Sequence, residues 1–514
     1  MRSHCYNGSY LCKFGHFDES GDVILRKRYN TSLSPVNGFR EVRGRTSVVA
    51  FFLGMVIITA PILLGRSHAF YVSFLAFSIL MTLLWRKVPR PWTFLLSISA
   101  ATPIAIARQQ FAGNLIFALW FAVLNPRYWF RLPKWIYVPV ALAVLGISTS
   151  AINWVSGNVL GSIMRQGAFA FNFFLAPFLL LPLAYLRMSE SRDHVANLQG
   201  LLFFLIIPST LLLISAKLIG TVDNAWEASL HVGSHAEGYL NYKLGNVVIN
   251  FLRTEVGFIL AALICASTAI TLSQVKGLYR VIAGACFTAN VFLLLATGSF
   301  GSIFASICGL AAIFYTQLRN IKSTKVFLSV AAICCMLLLI YSLSPPSTKE
   351  YLGKRFEHRV VKADDDRLVL WGRAMDYFLE YPEGVGLTLS VGDKIKFNPH
   401  NDFIAYAISY GVLGGLAYPF LVAGLLIYFF KGRKGRTEDH SALAIHLAGL
   451  GVIVALAVNS MTDHVGNNRW YFNVIWSIIW YSYFCSEATH TEDVPKKIKR
   501  ENGLSRTTAS KDNR

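Results

Sequence analysis

Charge is what this sequence is short of. Only 15% of its 514 residues are Asp, Glu, Lys or Arg, while 54% are hydrophobic, and the mean hydropathy is +0.47. A soluble domain coats itself with about a quarter charged residues, so a soluble globular chain is excluded. Acidic residues are scarcer than basic ones, 28 against 48, for a net charge of +20. Cysteine is sparse too. Cys5 and Cys12 stand in the N-terminal tail, and Cys265, Cys286, Cys308, Cys334, Cys335 and Cys485 lie in or at the ends of apolar runs. None falls in an expected external loop, where a disulfide would persist, and the spacing does not suit zinc. They read as buried or reduced thiols.

What the sequence has instead is apolar blocks of roughly 17–20 residues, enough to cross a ~30 Å hydrocarbon core as helix. In lipid each backbone polar group must be paired within its own segment, which leaves helices as the solution. The pattern predicts an all-α polytopic membrane protein of about 12–14 transmembrane helices. Spans are expected near 47–65, 68–85, 91–107, 111–124, 136–153, 168–186, 200–219, 255–273, 281–297, 301–316, 326–343, 402–429, 441–460 and 470–485. The first run follows more than forty polar residues without a cleavage site, so it reads as a retained anchor rather than a signal peptide.

Lys and Arg fall on one side of this topology. Arg26 to Arg45, Arg86 with Lys87 and Arg90, Arg127 with Arg131 and Lys134, Arg187 with Arg192, and Lys276 with Arg280 begin the series. Arg319 to Lys325, Lys431 to Arg436 and the Lys496–Arg500 cluster complete it. Positively charged loops stay cytoplasmic, so both termini are expected there. The net positive charge is then topology signal plus attraction to anionic membrane lipids. It gives no support to nucleic-acid binding, which would need basic residues interleaved with aromatics on a soluble face.

The expected organisation is a basic cytoplasmic tail (1–46), a helix bundle (47–343), a large external loop (344–401), C-terminal spans (402–485) and a second basic tail (486–514). A further external segment covers 220–254. Long structured loops usually carry function, and the large one holds the distinctive residues. Its stretch RLVLWGRAMDYFLEYPEGVG supplies Arg367, Trp371, Arg373, Pro382, Gly384 and Gly386. Then HNDFIAYAISYGVLG gives His400 and Asn401 at the start of an apolar helix, followed by Gly411 and Gly414. Asn and Asp beside a helix start are capping residues.

Taken together, these motifs resemble the C-terminal region of the O-antigen ligase/polysaccharide polymerase family. The likeness covers roughly residues 250–430: an Arg…Trp…Pro…Gly-x-Gly run, then His-Asn, nine residues and Gly-x-x-Gly. It implies transfer of a glycan from undecaprenyl pyrophosphate to an acceptor hydroxyl at the periplasmic face of a bacterial inner membrane. The acceptor is a lipid A core for a ligase, or a second lipid-linked repeat for a polymerase. No metal or other cofactor is implied. The resemblance gives His400 the role of base and Arg253 and Arg367 the role of pyrophosphate clamps, with Arg373, Asn401, Trp371 and Arg165 as further substrate-binding candidates. The residue types suit those roles. Imidazole takes a proton near neutral pH, and guanidinium binds phosphate oxygens bidentately without losing its charge. One departure stands out: where family members often have a Ser-Arg pair, this chain has Ser299-Phe300.

Other polar groups have plainer readings. Asp364, Asp365 and Asp366 form a solvated acidic run. His231, His235 and Glu237 fit an amphipathic loop helix better than a zinc site, which would want a further ligand. Asp463, His464, Asn467, Asn468 and Arg469 form a polar turn. The rival class is a secondary transporter, which would place ionisable residues at the bilayer midplane. Here the spans are nearly free of charge. A protein acceptor, as in the related O-oligosaccharyltransferases, is a third possibility.

Overall fold

In the computed structural model the described residues are 122–123, 126–154, 170–186, 193–219, 239–244, 247–297, 299–318, 367–386, 400–431, 439–462 and 469–487, with isolated positions between 342 and 357. They are helical almost throughout, as the hydropathy requires. A membrane-type bundle contains α1 (Tyr137–Ser150), a π-helix (Phe171–Leu180) running into α2 (Leu181–Leu186), α3 (His194–Ile219), α4 (Arg253–Leu272), α5 (Gly277–Thr297) and α6 (Phe300–Leu318). The chain continues with α7 (Arg367–Glu380), α8 (Asp402–Lys431), α9 (His440–Thr462) and α10 (Arg469–Glu487). Among the described residues four helices are long and apolar enough to cross a membrane: α5, α6, α8 and α9. The expected spans near 47–65, 68–85, 91–107, 111–124 and 326–343 lie outside the described residues, save Ala122 and Val123.

The core forms around α4 and α9, which are buried along most of their length, from Val256 to Ile270 and from Ala442 to Ser460. Lipid tails are as apolar as leucine, so helices in a bilayer associate through close packing at small residues. α4, α6 and α9 meet in this way at Gly309. A Cβ there would stand 2.5 Å from Cys265 Sγ and 2.7 Å from the Gly451 carbonyl oxygen. The outward residues Leu278, Val281, Phe304, Ile307, Phe420 and Ile427 are apolar and exposed, as a surface against lipid should be. α10 contributes the aromatic column Trp476, Trp480 and Phe484. Trp480 Nε1 donates to the Pro177 carbonyl at 2.7 Å, and Tyr481 Oη donates to that of Asn197 at 2.6 Å. The described cysteines, Cys265, Cys286, Cys308 and Cys485, carry free thiols.

Two features differ from the sequence expectation. In the segment 220–254, expected to be external, the described residues form an antiparallel hairpin, β1 (Tyr239–Leu244) with β2 (Val247–Leu252), in register from Tyr239 opposite Leu252 to Leu244 opposite Val247. β2 runs directly into α4, so Arg253 sits at a strand–helix junction.

The second difference concerns the expected span 402–429. α8 is two limbs joined at Tyr410 and Gly411, whose backbone angles are non-helical (φ −126°, ψ 16° and φ 67°, ψ −166°). In a straight helix, residues 12 apart lie about 18 Å apart along the axis. Yet the Tyr406 and Tyr418 rings stack with centroids 4.6 Å apart and 9° between planes. A Cβ on Gly415 would come within 2.8 Å of Ala407 Cα. The short limb 402–410 therefore folds back over the long limb. The long limb, 411–431, extends about 31 Å at about 1.5 Å per residue, which matches a hydrocarbon core.

Candidate active site at the His400 end of the bundle

A helix broken in a low-dielectric setting leaves backbone groups to be satisfied. At the α8 break the partners come from the turn after α7. Val385 N donates to the Ile408 carbonyl at 3.0 Å, Gly386 N to that of Ser409 at 2.8 Å, and Val412 N to that of Pro382 at 3.0 Å. This backbone-to-backbone dock explains the glycines of the loop motif. Gly384 and Gly411 both have positive φ, 91° and 67°. A Cβ on Gly384 would meet Gly411 N at 2.4 Å, and one on Gly411 would meet the Pro382 carbonyl oxygen at 2.5 Å. Only residues without a side chain admit that approach. Gly386 also has positive φ, 75°. Gly414 lies against α1, where a Cβ on Gly146 would come within 2.4 Å of its nitrogen.

α7 is held beside the short limb by a small apolar cluster of Ala374, Val385 and Ile408 with Tyr377, Phe378, Tyr381 and Ile404. Its other face is open and mixed, exposing Val369, Met375 and Leu379 together with Arg373. Trp371 is half-buried on the same helix. Arg367 is the first residue of α7.

Asn153, just past α1, was not singled out from the sequence. Its Nδ2 donates to Glu383 Oε1 at 3.0 Å and to the Gly384 carbonyl at 2.8 Å, fastening the turn from the α1 side. The amide beside it, together with the residue's own backbone N–H, holds the Glu383 carboxyl below the ordinary carboxylate range. An isolated asparagine at the end of an apolar run offers no pattern that would have revealed this contact.

His400 directly precedes the short limb, half-buried, with φ 49°. A left-handed φ is uncommon outside glycine and persists where the surroundings fix it. Asn401 caps the helix as its residue type predicts. Its Oδ1 accepts from Ile404 N at 3.2 Å, and its Nδ2 donates to the Met461 carbonyl of α9, also at 3.2 Å.

From there contacts run on to two further helix starts. A Cβ on Gly301, the second residue of α6, would lie 2.9 Å from Thr462 Oγ1 at the end of α9. A Cβ on Gly257 would lie 2.6 Å from Ser302 Oγ. Gly257 is one turn into α4, so the backbone puts position 253 at the same end of the bundle as His400. Phe300, half-buried, opens α6 between these contacts, beside Ser299, whose Oγ donates to Ser302 Oγ at 3.0 Å. Arg165, His231, His235, Glu237, the run Asp364–Asp366 and most of the polar turn after Thr462 lie outside the described residues.

The class of protein defined to this point is a multi-pass helical membrane protein, with motif residues from several elements at one end of its bundle. Against known families, residues 283–419 match the model described as O-Antigen ligase. The match runs from within α5 through α6 and α7 to Pro419 of α8, and supports assignment to that family. It takes in Arg367, Trp371, Arg373, Gly384, Gly386, His400, Asn401, Gly411 and Gly414, and leaves Arg253 outside. No curated protein matches the chain.

Proposed function

We propose that the protein transfers a glycan from undecaprenyl pyrophosphate to an acceptor hydroxyl at the periplasmic face of the inner membrane, with both chain termini in the cytoplasm. The supporting observation is the joint within the family match: a loop motif docked by backbone hydrogen bonds onto a broken helix whose first turn follows His400. Such a dock fixes reacting groups on rigid elements, which catalysis by positioning requires.

In this reading His400 takes the proton of the acceptor hydroxyl as its oxygen bonds to the anomeric carbon. The bond from that carbon to the pyrophosphate oxygen breaks, and the lipid pyrophosphate leaves with the electron pair. Arg253 and Arg367 offset the charge gathering on the leaving group, the electrostatic contribution that arginine supplies well. Arg373, Asn401 and Trp371 line the approach. Phe300, where family members often carry arginine, removes one cation and points to a donor sugar or phosphate held differently.

The test is the lipopolysaccharide and exopolysaccharide gel profile of a deletion strain, complemented with the parent gene or with His400→Ala. Full-length glycan that stays on the lipid carrier marks a ligase. Attachment of single repeats alone marks a polymerase. A profile restored by His400→Ala removes the histidine mechanism, and one unchanged by deletion returns the transporter reading.

A further inference from the structure

A fully enclosed carboxyl group stands two residues beyond His400. Asp402 is fully buried, and so is Ser460 on α9. Ser460 Oγ donates to Asp402 Oδ2 at 2.8 Å, and the Tyr418 hydroxyl lies 2.8 Å from the same Oγ. A serine or tyrosine hydroxyl has a single proton to donate. Ser460 has one proton, directed to Asp402, so Tyr418 must donate to Ser460. The chain thus has a single polarity, from Tyr418 through Ser460 to Asp402.

Its three members come from the long limb of α8, from α9 and from the short limb. Residues 402 and 418 would be about 24 Å apart in a straight helix, so this chain exists only in the folded-back form. Asn401 adds a parallel tie to the Met461 carbonyl. Aromatic packing of Phe403 and Tyr406 on Tyr418 already holds the two limbs together. Packing of that kind fixes contact but not register. A buried carboxyl group is tolerated where it is hydrogen-bonded, and the directed bond from Ser460 sets one register of the short limb against α9.

We propose that Asp402, Ser460 and Tyr418 form a positioning chain for His400, setting where its imidazole stands without touching substrate. The proposal rests on His400 acting in glycan transfer. A displacement of about 1 Å at a reacting group can lower a rate by as much as about a hundredfold, so the register matters.

Ser460→Ala removes the middle link and leaves the aromatic contacts in place, Ser460→Thr returns the hydroxyl, and Tyr418→Phe removes only the far donor. With purified full-length protein, Ser460→Ala is expected to lower kcat about tenfold or more with little change in the KM for the lipid-linked donor. Ser460→Thr is expected to recover most of that loss, with Tyr418→Phe falling between. A second readout needs no activity: the labelling rate of a His400→Cys protein by a membrane-impermeant maleimide, with the parent chain as baseline. Ser460→Ala or Tyr418→Phe introduced into that protein should change the rate severalfold, and Ser460→Thr should leave it near the His400→Cys value. A rate unmoved by both Ser460→Ala and Tyr418→Phe overturns the positioning chain whatever the protein transfers. Full activity of His400→Ala overturns the role of His400 in transfer and leaves the labelling result standing.

Discussion

The short limb of α8 is held at both ends, by different means. At its C-terminal end the glycine dock joins backbone to backbone, with Gly384 and Gly411 so close that a Cβ on either would fall 2.4–2.5 Å from a main-chain atom. At its N-terminal end the ties are side-chain hydrogen bonds: Asn401 donates to the Met461 carbonyl of α9, and Asp402 accepts from Ser460. A backbone dock has no soft degrees of freedom, so injury there should appear as loss of fold. A side-chain latch can slip and still leave a folded protein, so injury there should appear as loss of rate.

The largest expected effect breaks the dock. Gly411→Ala puts a side chain at positive φ and drives it into the 382–383 backbone. Backbone strain in that glycine-only region costs about 1–3 kcal/mol, and overpacking against main chain adds about 1–3 kcal/mol. The expected outcome is a large drop in folded yield and in the unfolding temperature in detergent, with Gly384→Ala behaving alike. Unchanged unfolding temperatures for both would mean that the dock is looser than its geometry. His400→Ala sharpens the contrast from the other end. Its unfolding temperature should stay near the parent's while transfer falls by about 10²–10⁴, the usual contribution of a positioned base.

Next in size are Arg253→Lys and Arg367→Lys, which keep the charge and remove the bidentate fork. A loss of about tenfold in transfer is expected, with the folded yield unchanged. Equal activity of the lysine and arginine forms would show that these positions supply only charge. The same substitutions test whether Arg253, outside the family match, belongs with the residues inside it.

Much of this was legible in the sequence because it is local. Apolar run length gives the helices, and Asn401 before Asp402 announces the cap that the hydrogen bond to Ile404 confirms. The hairpin was missed, although Gly245-Asn246 between two strand-like six-residue runs is a two-residue hairpin signal. The fold-back of α8 was not legible. Gly411 marks the break, but one glycine in an apolar run is weak punctuation. What makes the break tolerable is the set of partners at Pro382, Val385 and Gly386, remote in sequence and without periodicity. The glycines could be recognised as a motif, then, without the reason for them being readable. Asp402 carries a related ambiguity. A first-turn acid reads as a helix-dipole partner, and its pairing with Ser460 depends on a helix some 60 residues away.

The smallest expected effect lies on the turn between these regions, where Asn153 holds Glu383 and Gly384 from the α1 side. Asn153→Ala removes both hydrogen bonds and should cost about 1–2 kcal/mol at neutral pH, with transfer only slightly reduced. The two bonds respond differently to acid. Asn153 donating to the carboxylate holds the folded-state pKa of Glu383 below its unfolded value. That contribution is therefore present above the unfolded range, near about 4.3, and disappears as pH falls through the folded value. The bond to the Gly384 carbonyl does not titrate. The gap in unfolding temperature between parent and Asn153→Ala should thus narrow as pH drops below about 4.3 and level off above zero. A gap that stays constant with pH would assign the whole effect to the carbonyl bond. One that closes completely would assign it to Glu383, leaving the dock to stand on its three backbone hydrogen bonds alone.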